Sequence, residues 1–343
     1  MSDFRTVPGF DEAWRPPVDL RRRTPKAVLT KGTPSQALDV RARLARVAGR
    51  APEVMVKVTG RTRDAAHLRA HLEYISRNGQ LEMEDRDGNR VVDRGEVRDL
   101  ADDWAAAALM DARRRANTPM SLSVVLSMPA GTDAIVLRDA ARQFAGEVFG
   151  ERFDYAFALH TDADHPHVHI AVRALGDDGA RLNPKKADLE AWRQAFAQAL
   201  RDRGIAAEAT PRRARGVTLK AERTPVRKLR ERREKGVGSA SRVYAGAVRD
   251  AANAAFLGDM TARPWELATL ARQKRVRALY LAQARILMTS PFASDQALGR
   301  AVEAFVQGMP APDSQRLALA RQLRAANEQA RQRDREPGPG RSR

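Results

Sequence analysis

With 343 residues the chain has length for about two domains, and 43% hydrophobic residues give it apolar material for a sizeable core. Its 61 Lys and Arg against 43 Asp and Glu leave a formal charge of +18, which favours polyanionic partners, nucleic acid before anionic membrane. The absence of cysteine excludes disulfides and thiolate metal sites and fits a reducing cytoplasm. No apolar run reaches the roughly 18 residues of a membrane span, and Met1 to Pro17, polar and mixed in charge, does not read as a secretory signal.

In chain order, residues 1–52 read as a basic, partly disordered arm with prolines, the run Arg21-Arg22-Arg23 and a short helix over Asp39–Val47. Val54–Val58 reads as a strand, and Arg61–Arg77 as a helix with Leu68, Leu72 and Ile75 on its apolar stripe. Asn78-Gly79 stops that helix. Leu81–Met83 and Arg90–Val92 flank Arg86-Asp87-Gly88-Asn89, a hairpin signal. A helix is expected over Arg94–Asn117, a strand over Met120–Met128, and a second long helix over Thr132–Phe149 with Thr132 as its N-cap. Strands follow at Tyr155–His160 and His167–Ala174, then a turn at Asp177-Asp178-Gly179 and an amphipathic helix over Asp188–Arg203. Short strands joined by both hairpins and helices predict an α+β fold, a mainly antiparallel sheet covered by helices, over 53–216. After Gly216 the strand signals fade. A basic helical region is expected over 217–330 and a disordered Arg-rich tail over 331–343.

Four of the six histidines fall in one stretch, His160-Thr161-Asp162-Ala163-Asp164-His165-Pro166-His167-Val168-His169. On a strand, His167 and His169 share a face, while Val168 points to the core. A tight loop brings His160, at the end of the preceding strand, next to the pair. Three neutral imidazoles can hold a divalent cation and leave coordination positions open for a phosphate oxygen. Asp162 or Asp164 is placed to orient a histidine from behind. His165 shares the parity of His167, but Pro166 intervenes, so His165 reads as a loop residue facing DNA. On spacing alone two readings stand, a metal site and a polar turn that happens to be His-rich.

Tyr74 is one of four tyrosines, and at helical spacing it shares a face with His67 and His71. A phenol with a pKa near 10 needs a metal, a histidine or a cation beside it to act as a nucleophile. Taken alone, Tyr74 reads first as a half-buried packing residue with a solvated hydroxyl. His67 and His71 are expected to face DNA or solvent.

Three stretches, in order, resemble the relaxases of conjugative and mobilisable plasmids, in the group that includes the nuclease cutting T-DNA borders. These belong to the endonucleases named for a His-hydrophobic-His pair. Leu72-Glu73-Tyr74-Ile75-Ser76-Arg77-Asn78-Gly79 is similar to the family's first motif, which contains its nucleophilic tyrosine. Ser127-Met128-Pro129-Ala130-Gly131-Thr132-Asp133 is similar to the strand-to-helix turn that follows. His160 to His169 resembles the third motif, including its Asp-His-Pro-His centre, and a weaker likeness runs on through Arg203-Gly204-Ile205 and Arg215-Gly216.

The resemblance implies the relaxase fold over 53–216 and a nicking reaction at an origin of transfer. Tyr74 would attack the scissile phosphate and become joined to the 5′ phosphate. His160, His167 and His169 would hold Mg²⁺ or Mn²⁺. In this group an Asn commonly stands where this chain has Arg173, which can still contact phosphate. The implied partners are single-stranded origin DNA, accessory relaxosome proteins and a type IV coupling protein. The implied location is the bacterial cytoplasm, with export alongside the strand and the Arg-rich tail as export signal. Lys57, Arg61, Arg63 and Arg77 near the first motif, and Arg212, Arg213 and Arg215 beyond the third, are expected to grip the DNA backbone. Two other readings remain on the sequence: a DNA-binding protein with a degenerate nuclease fold, and a basic adaptor between DNA and a secretion machine. No Gly-Lys-Ser/Thr phosphate loop occurs, so no helicase is expected.

Overall fold

The structure is a computed structural model, and it describes residues 4–15, 40–219, 222, 224–238 and 241–335. The described residues fall into two compact units, one holding 40–210 and the other 4–15 with 211–335.

The 40–210 unit is built on a six-stranded sheet: β1 (Met55–Thr62), β2 (Met83–Asp85), β3 (Arg90–Val91), β4 (Ser121–Ser127), β5 (Tyr155–His160) and β6 (His167–Arg173). The strand order is β1-β4-β6-β5-β2-β3 and every pair is antiparallel, as the sequence predicts. Alternation along each strand sorts the two faces. Leu122, Val124 and Leu126 of β4, Tyr155 and Phe157 of β5, and Val168, Ile170 and Val172 of β6 join one core. That face is covered by α4 (Ala134–Val148) and α5 (Lys186–Arg201), with Trp192 packed edge-on against Phe149 at 5.1 Å. The opposite face carries Ala158 and Ala171, small side chains that let α2 (Ala65–Ile75) and α3 (Arg94–Met110) lie close to the sheet. Leu68, Leu72 and Ile75 of α2 are fully buried there, on the stripe that the sequence predicts.

Local chemistry moves several boundaries. β1 runs on to Thr62, and α2 starts only at Ala65, because Asp64 caps it by accepting from His67 N. α3 stops at Met110 rather than Asn117. The Asp111 side chain accepts from Arg113 N and so offers the backbone a turn in place of the next helical bond. The cap of α4 is Asp133, which accepts from Ile135 N and Val136 N, while Thr132 Oγ1 donates to Pro129 O. α1 (Val40–Ala48) belongs to this unit. Its Arg43 and Arg46 reach the buried Glu208 carboxylate at 3.4 and 2.9 Å.

The second unit is helical, comprising α6 (Thr224–Glu234), α7 (Arg242–Phe256), α8 (Pro264–Met288), α9 (Ala293–Gln307) and α10 (Gln315–Arg335). α7 packs on α10 through Ala251, Ala254, Ala255 and Ala320, and α8 packs on α9. A 3-10 turn, Phe10–Ala13, sits on α8, where Trp14 Nε1 donates to the Tyr280 hydroxyl at 2.8 Å. Two pieces of the expected N-terminal arm thus lie in different units, and its run Arg21–Arg23 lies outside the described residues. The expected tail is corrected in part. Arg331–Arg335 continue α10, since Arg and Gln favour the helix, and the rest of the tail lies outside the described residues.

Candidate active site

The β5–β6 hairpin makes the centre of the site. Its register sets His160 directly opposite His167, with His169 two residues on and on the same face. The ring centroids lie 5.2 Å apart for His160 and His167, 4.5 Å for His160 and His169, and 5.1 Å for His167 and His169. One nitrogen from each ring can be chosen so that all three lie within 4.8 Å of one another.

The other nitrogens are engaged in ways that suit a cation. A carbonyl only accepts, so His160 Nε2 donates to Ile75 O at 2.7 Å, and its Nδ1 lone pair accepts from Arg77, a contact that a cation held there would displace. His167 Nδ1 donates likewise to His165 O at 3.1 Å, which leaves the lone pair on Nε2. Histidines that hold metals commonly spend their second nitrogen this way. His169 Nδ1 is buried with no partner. Burial, and then His160 and His167, push the His169 imidazole down to about 3, and burial also lowers His160. The His160 and His169 rings are therefore disfavoured as imidazolium and present nitrogen donors without charge repulsion towards a cation. Nitrogen donors of this kind fit a divalent ion.

α2 brings the second half. Tyr74 points away from the core and is 56% exposed, with its ring edge-on to His169 at 5.8 Å between centroids. The helix ends in three consecutive left-handed residues, Arg77 (φ 53°), Asn78 (φ 59°) and Gly79 (φ 81°). A Cβ on Gly79 would meet the Arg94 nitrogen and lie 2.6 Å from the Asp93 carbonyl carbon, so only glycine fits that close approach. This turn aims the Arg77 guanidinium at the centre. It lies 5.5 Å from the Tyr74 ring, donates to His160 Nδ1 at 3.2 Å and pairs with Asp162.

The sequence-derived site residues separate into those brought together and those kept apart. Tyr74, Arg77, His160, Asp162, His167 and His169 converge. His165 and Asp164 are exposed in the loop, and His165 contributes its backbone carbonyl. Lys57 is exposed on β1, in the row Lys57–Val125–His169 across three strands. Arg61 and Arg63 lie elsewhere. An irregularity between Val58 and Gly60 shifts the register, and Arg61 pairs with Leu122, at the end of β4 distant from the histidines. Arg173 is also removed. It closes β6 roughly 13 Å beyond His169 at strand rise and donates to Asp177 at 2.6 Å and Asp154 at 2.8 Å. In place of a phosphate contact it forms a structural ion cluster that Arg86 shares. Arg212, Arg213 and Arg215 fall in the helical unit, and the guanidinium nitrogens of Arg213 are buried rather than presented outward.

His71 corrects the expectation of a solvated ring. Its Nε2 lies 3.0 Å from Ser123 Oγ, itself 2.8 Å from Thr59 Oγ1, and burial pushes its imidazole down to about 4. The signal was its position beside the stripe of Leu68, Leu72 and Ile75, which turns it towards the sheet. Tyr155 is no rival to Tyr74, being 4% exposed within the core.

Residues 74–205 match the family model described as "Relaxase: MobA/VirD2-like, nuclease domain", a span that opens on Tyr74 and includes all three histidines. Over this span the chain is similar to the relaxase nuclease domains of the MobA/VirD2 group. Among curated relatives of this domain, the T-DNA border endonuclease VirD2 of Rhizobium radiobacter is 30% identical over 184 residues, covering 48% of this chain and 43% of its own. The T-DNA border endonuclease VirD2 of Agrobacterium fabrum (strain C58) is 28% identical over 187 residues, covering 48% and 41%. The chain thus spans under half the length of these relatives. Among solved structures, the MobM relaxase domain bound to 26-nucleotide pMV158 oriT DNA overlaps 50% of this chain and 98% of its own, at 13% identity and a TM-score of 0.37. No helix among the described residues is long and apolar enough to cross a membrane.

Proposed function

We propose that this protein nicks one strand of DNA at an origin of transfer, with Tyr74 as nucleophile. The observation that carries the reading is the exposed Tyr74 ring set edge-on to His169 of the three-histidine cluster. The Tyr74 oxygen attacks the scissile phosphorus, and the phosphorus–O3′ bond breaks. The phenolic proton passes to solvent, the leaving 3′ oxygen takes up a proton, and a 5′-phosphotyrosine remains. One phosphodiester is exchanged for another, so the step is reversible and the strand can be rejoined. His160, His167 and His169 would hold a divalent cation, Mg²⁺ or Mn²⁺, whose charge at a phosphate oxygen stabilises the crowded transition state. The guanidinium of Arg77 stands between nucleophile and histidines and supplies further positive charge there. Lys57 extends the basic surface along the same sheet row. Carriage of the joined strand with accessory relaxosome proteins and a type IV coupling protein belongs to the same reading.

The test uses a single-stranded origin oligonucleotide labelled on each side of the nick. With Mn²⁺ or Mg²⁺, the protein should become covalently attached to the 5′-phosphate side and release a 3′ hydroxyl. Tyr74→Phe should bind the oligonucleotide with unchanged affinity and form no adduct. An adduct formed by Tyr74→Phe rules out this nucleophile.

A further inference from the structure

His160, His167 and His169 share their face of the sheet with a fourth imidazole. His71 stands one helical turn before Tyr74 on α2, so the two side chains lean on the same strands. Tyr74 meets His169 of β6 edge-on. His71 meets β4, with Nε2 3.0 Å from Ser123 Oγ. Ser123 pairs with Ala171, and Val125 with His169, so Ser123 and His169 point to one face as diagonal neighbours. His71 is thereby set beside His169. Burial first, then His160, His167 and His71, push the His169 imidazole down to about 3, which agrees with that placement.

Each of these two rings has one nitrogen unprovided for. His71 Nδ1 and His169 Nδ1 are both buried, and neither has a hydrogen-bond partner among the described residues. His160 and His167 spend their second nitrogens on the carbonyls of Ile75 and His165. His169 lacks such a carbonyl. Two neutral imidazoles satisfy one another when one nitrogen carries a proton and the other a lone pair. The hydroxyls behind His71 let it take the acceptor's part. Ser123 Oγ lies 2.8 Å from Thr59 Oγ1, and Thr59 is exposed to water. With His71 Nε2 donating to Ser123, Ser123 to Thr59 and Thr59 to solvent, His71 Nδ1 keeps a lone pair. His169 Nδ1–H then donates to it, directly or through one water. The His169 lone pair is left on Nε2. The opposite setting puts the proton on Nε2 and closes that nitrogen to a cation.

We propose that His71 is a positioning residue for His169: it accepts the Nδ1 proton and so presents Nε2 to the cation. The inference rests on the three-histidine cation site proposed above.

Two measurements on the full-length protein test it. Nitrogen NMR of the histidine rings, taken in chelator and well above the imidazole range, reports which nitrogen carries each proton. His169 should be protonated on Nδ1 and His71 on Nε2. A His169 protonated on Nε2 overturns the proposal whatever the protein does with metal. Mn²⁺ is then titrated without DNA, and the free ion is followed by its spin-resonance signal. His71→Leu should weaken Mn²⁺ binding by about 10- to 100-fold. His71→Asn, whose Oδ1 stands in for the Nδ1 acceptor, should recover most of that affinity. A loss that His71→Asn does not recover makes His71 a packing residue and overturns the proposal. Equal Mn²⁺ affinity in the parent and His71→Leu overturns it too and leaves the cation site standing. A parent that takes up no Mn²⁺ removes the cation site itself, and the proposal with it. If His71→Leu does not fold, the ring protonation of the parent and the Mn²⁺ affinity of His71→Asn decide.

Discussion

Four histidines crowd the candidate site, and burial acts on three of them in one direction. His169 is pushed down to about 3, His71 to about 4, and His160 is lowered as well. In the unfolded chain these rings titrate near 6.5. Between those values the unfolded chain binds protons that the folded chain refuses. Stability is therefore fully present above pH 6.5 and declines as pH falls towards the folded values. The buried Glu266 beside Arg316, held down to about 2, adds an acid loss only below its ordinary 4.5. The window from 6.5 to 4.5 thus isolates the histidines. Urea midpoints should fall steadily across it, and His169→Gln should flatten the slope. A midpoint unchanged from pH 7 to 4.5 would mean that the rings are not withdrawn from water. At this scale the sequence revealed much of the geometry. Two-residue spacing put His167 and His169 on one face, and one hairpin brought His160 opposite. It did not reveal that His71 turns inward on Ser123, or that Arg173 is held by Asp154, since both depend on partners remote in sequence.

The turn that ends α2 links Tyr74 to the histidines. Arg77 and Asn78 adopt left-handed backbone at a cost of roughly 1–2 kcal/mol each, and the strain persists because the surrounding structure over-determines it. Gly79→Ala would add a strained φ and an overlap with the Asp93–Arg94 backbone. The expected loss is about 2–4 kcal/mol, read as a lowered denaturant midpoint with unchanged slope. Asn78→Gly should be neutral or slightly stabilising. A Gly79→Ala protein as stable as the parent would show that the α3 N-terminus can move aside. The sequence marked this stop correctly because Asn-Gly is a local signal. Helix limits set by side-chain competition were harder to see. Asp64, Asp111 and Asp133 each moved a boundary by accepting from nearby amides. The irregularity at Thr59–Gly60, which takes Arg61 away from the histidine row, left no pattern in β1 that alternation alone could expose.

Each of the two units has its own buried apolar residues, and their sequence signatures differ. Alternating strands made the sheet legible, down to its antiparallel character. The helical unit was legible as helix, but the packing of α7 on α10 was not, because it rests on alanines such as Ala251, Ala254 and Ala320 rather than on a strong apolar stripe. Trp192 is fully buried among Phe144, Phe149 and the sheet. Trp192→Ala should cost the 40–210 unit about 3–5 kcal/mol. Pulse proteolysis with fragments assigned by mass should show earlier cleavage within 40–210 and unchanged cleavage within 241–335. Equal sensitisation of both regions would mean that the chain unfolds as one cooperative body.

The three histidines arise from a single ten-residue hairpin, whereas Tyr74 arrives from a helix far upstream. Short loops close at little entropic cost, and distant contacts form late. On the proposed reading, a cation held by those rings would tie β5 to β6 whether or not Tyr74 is in place, so added Mn²⁺ would raise the Tm of Tyr74→Phe as it does that of the parent.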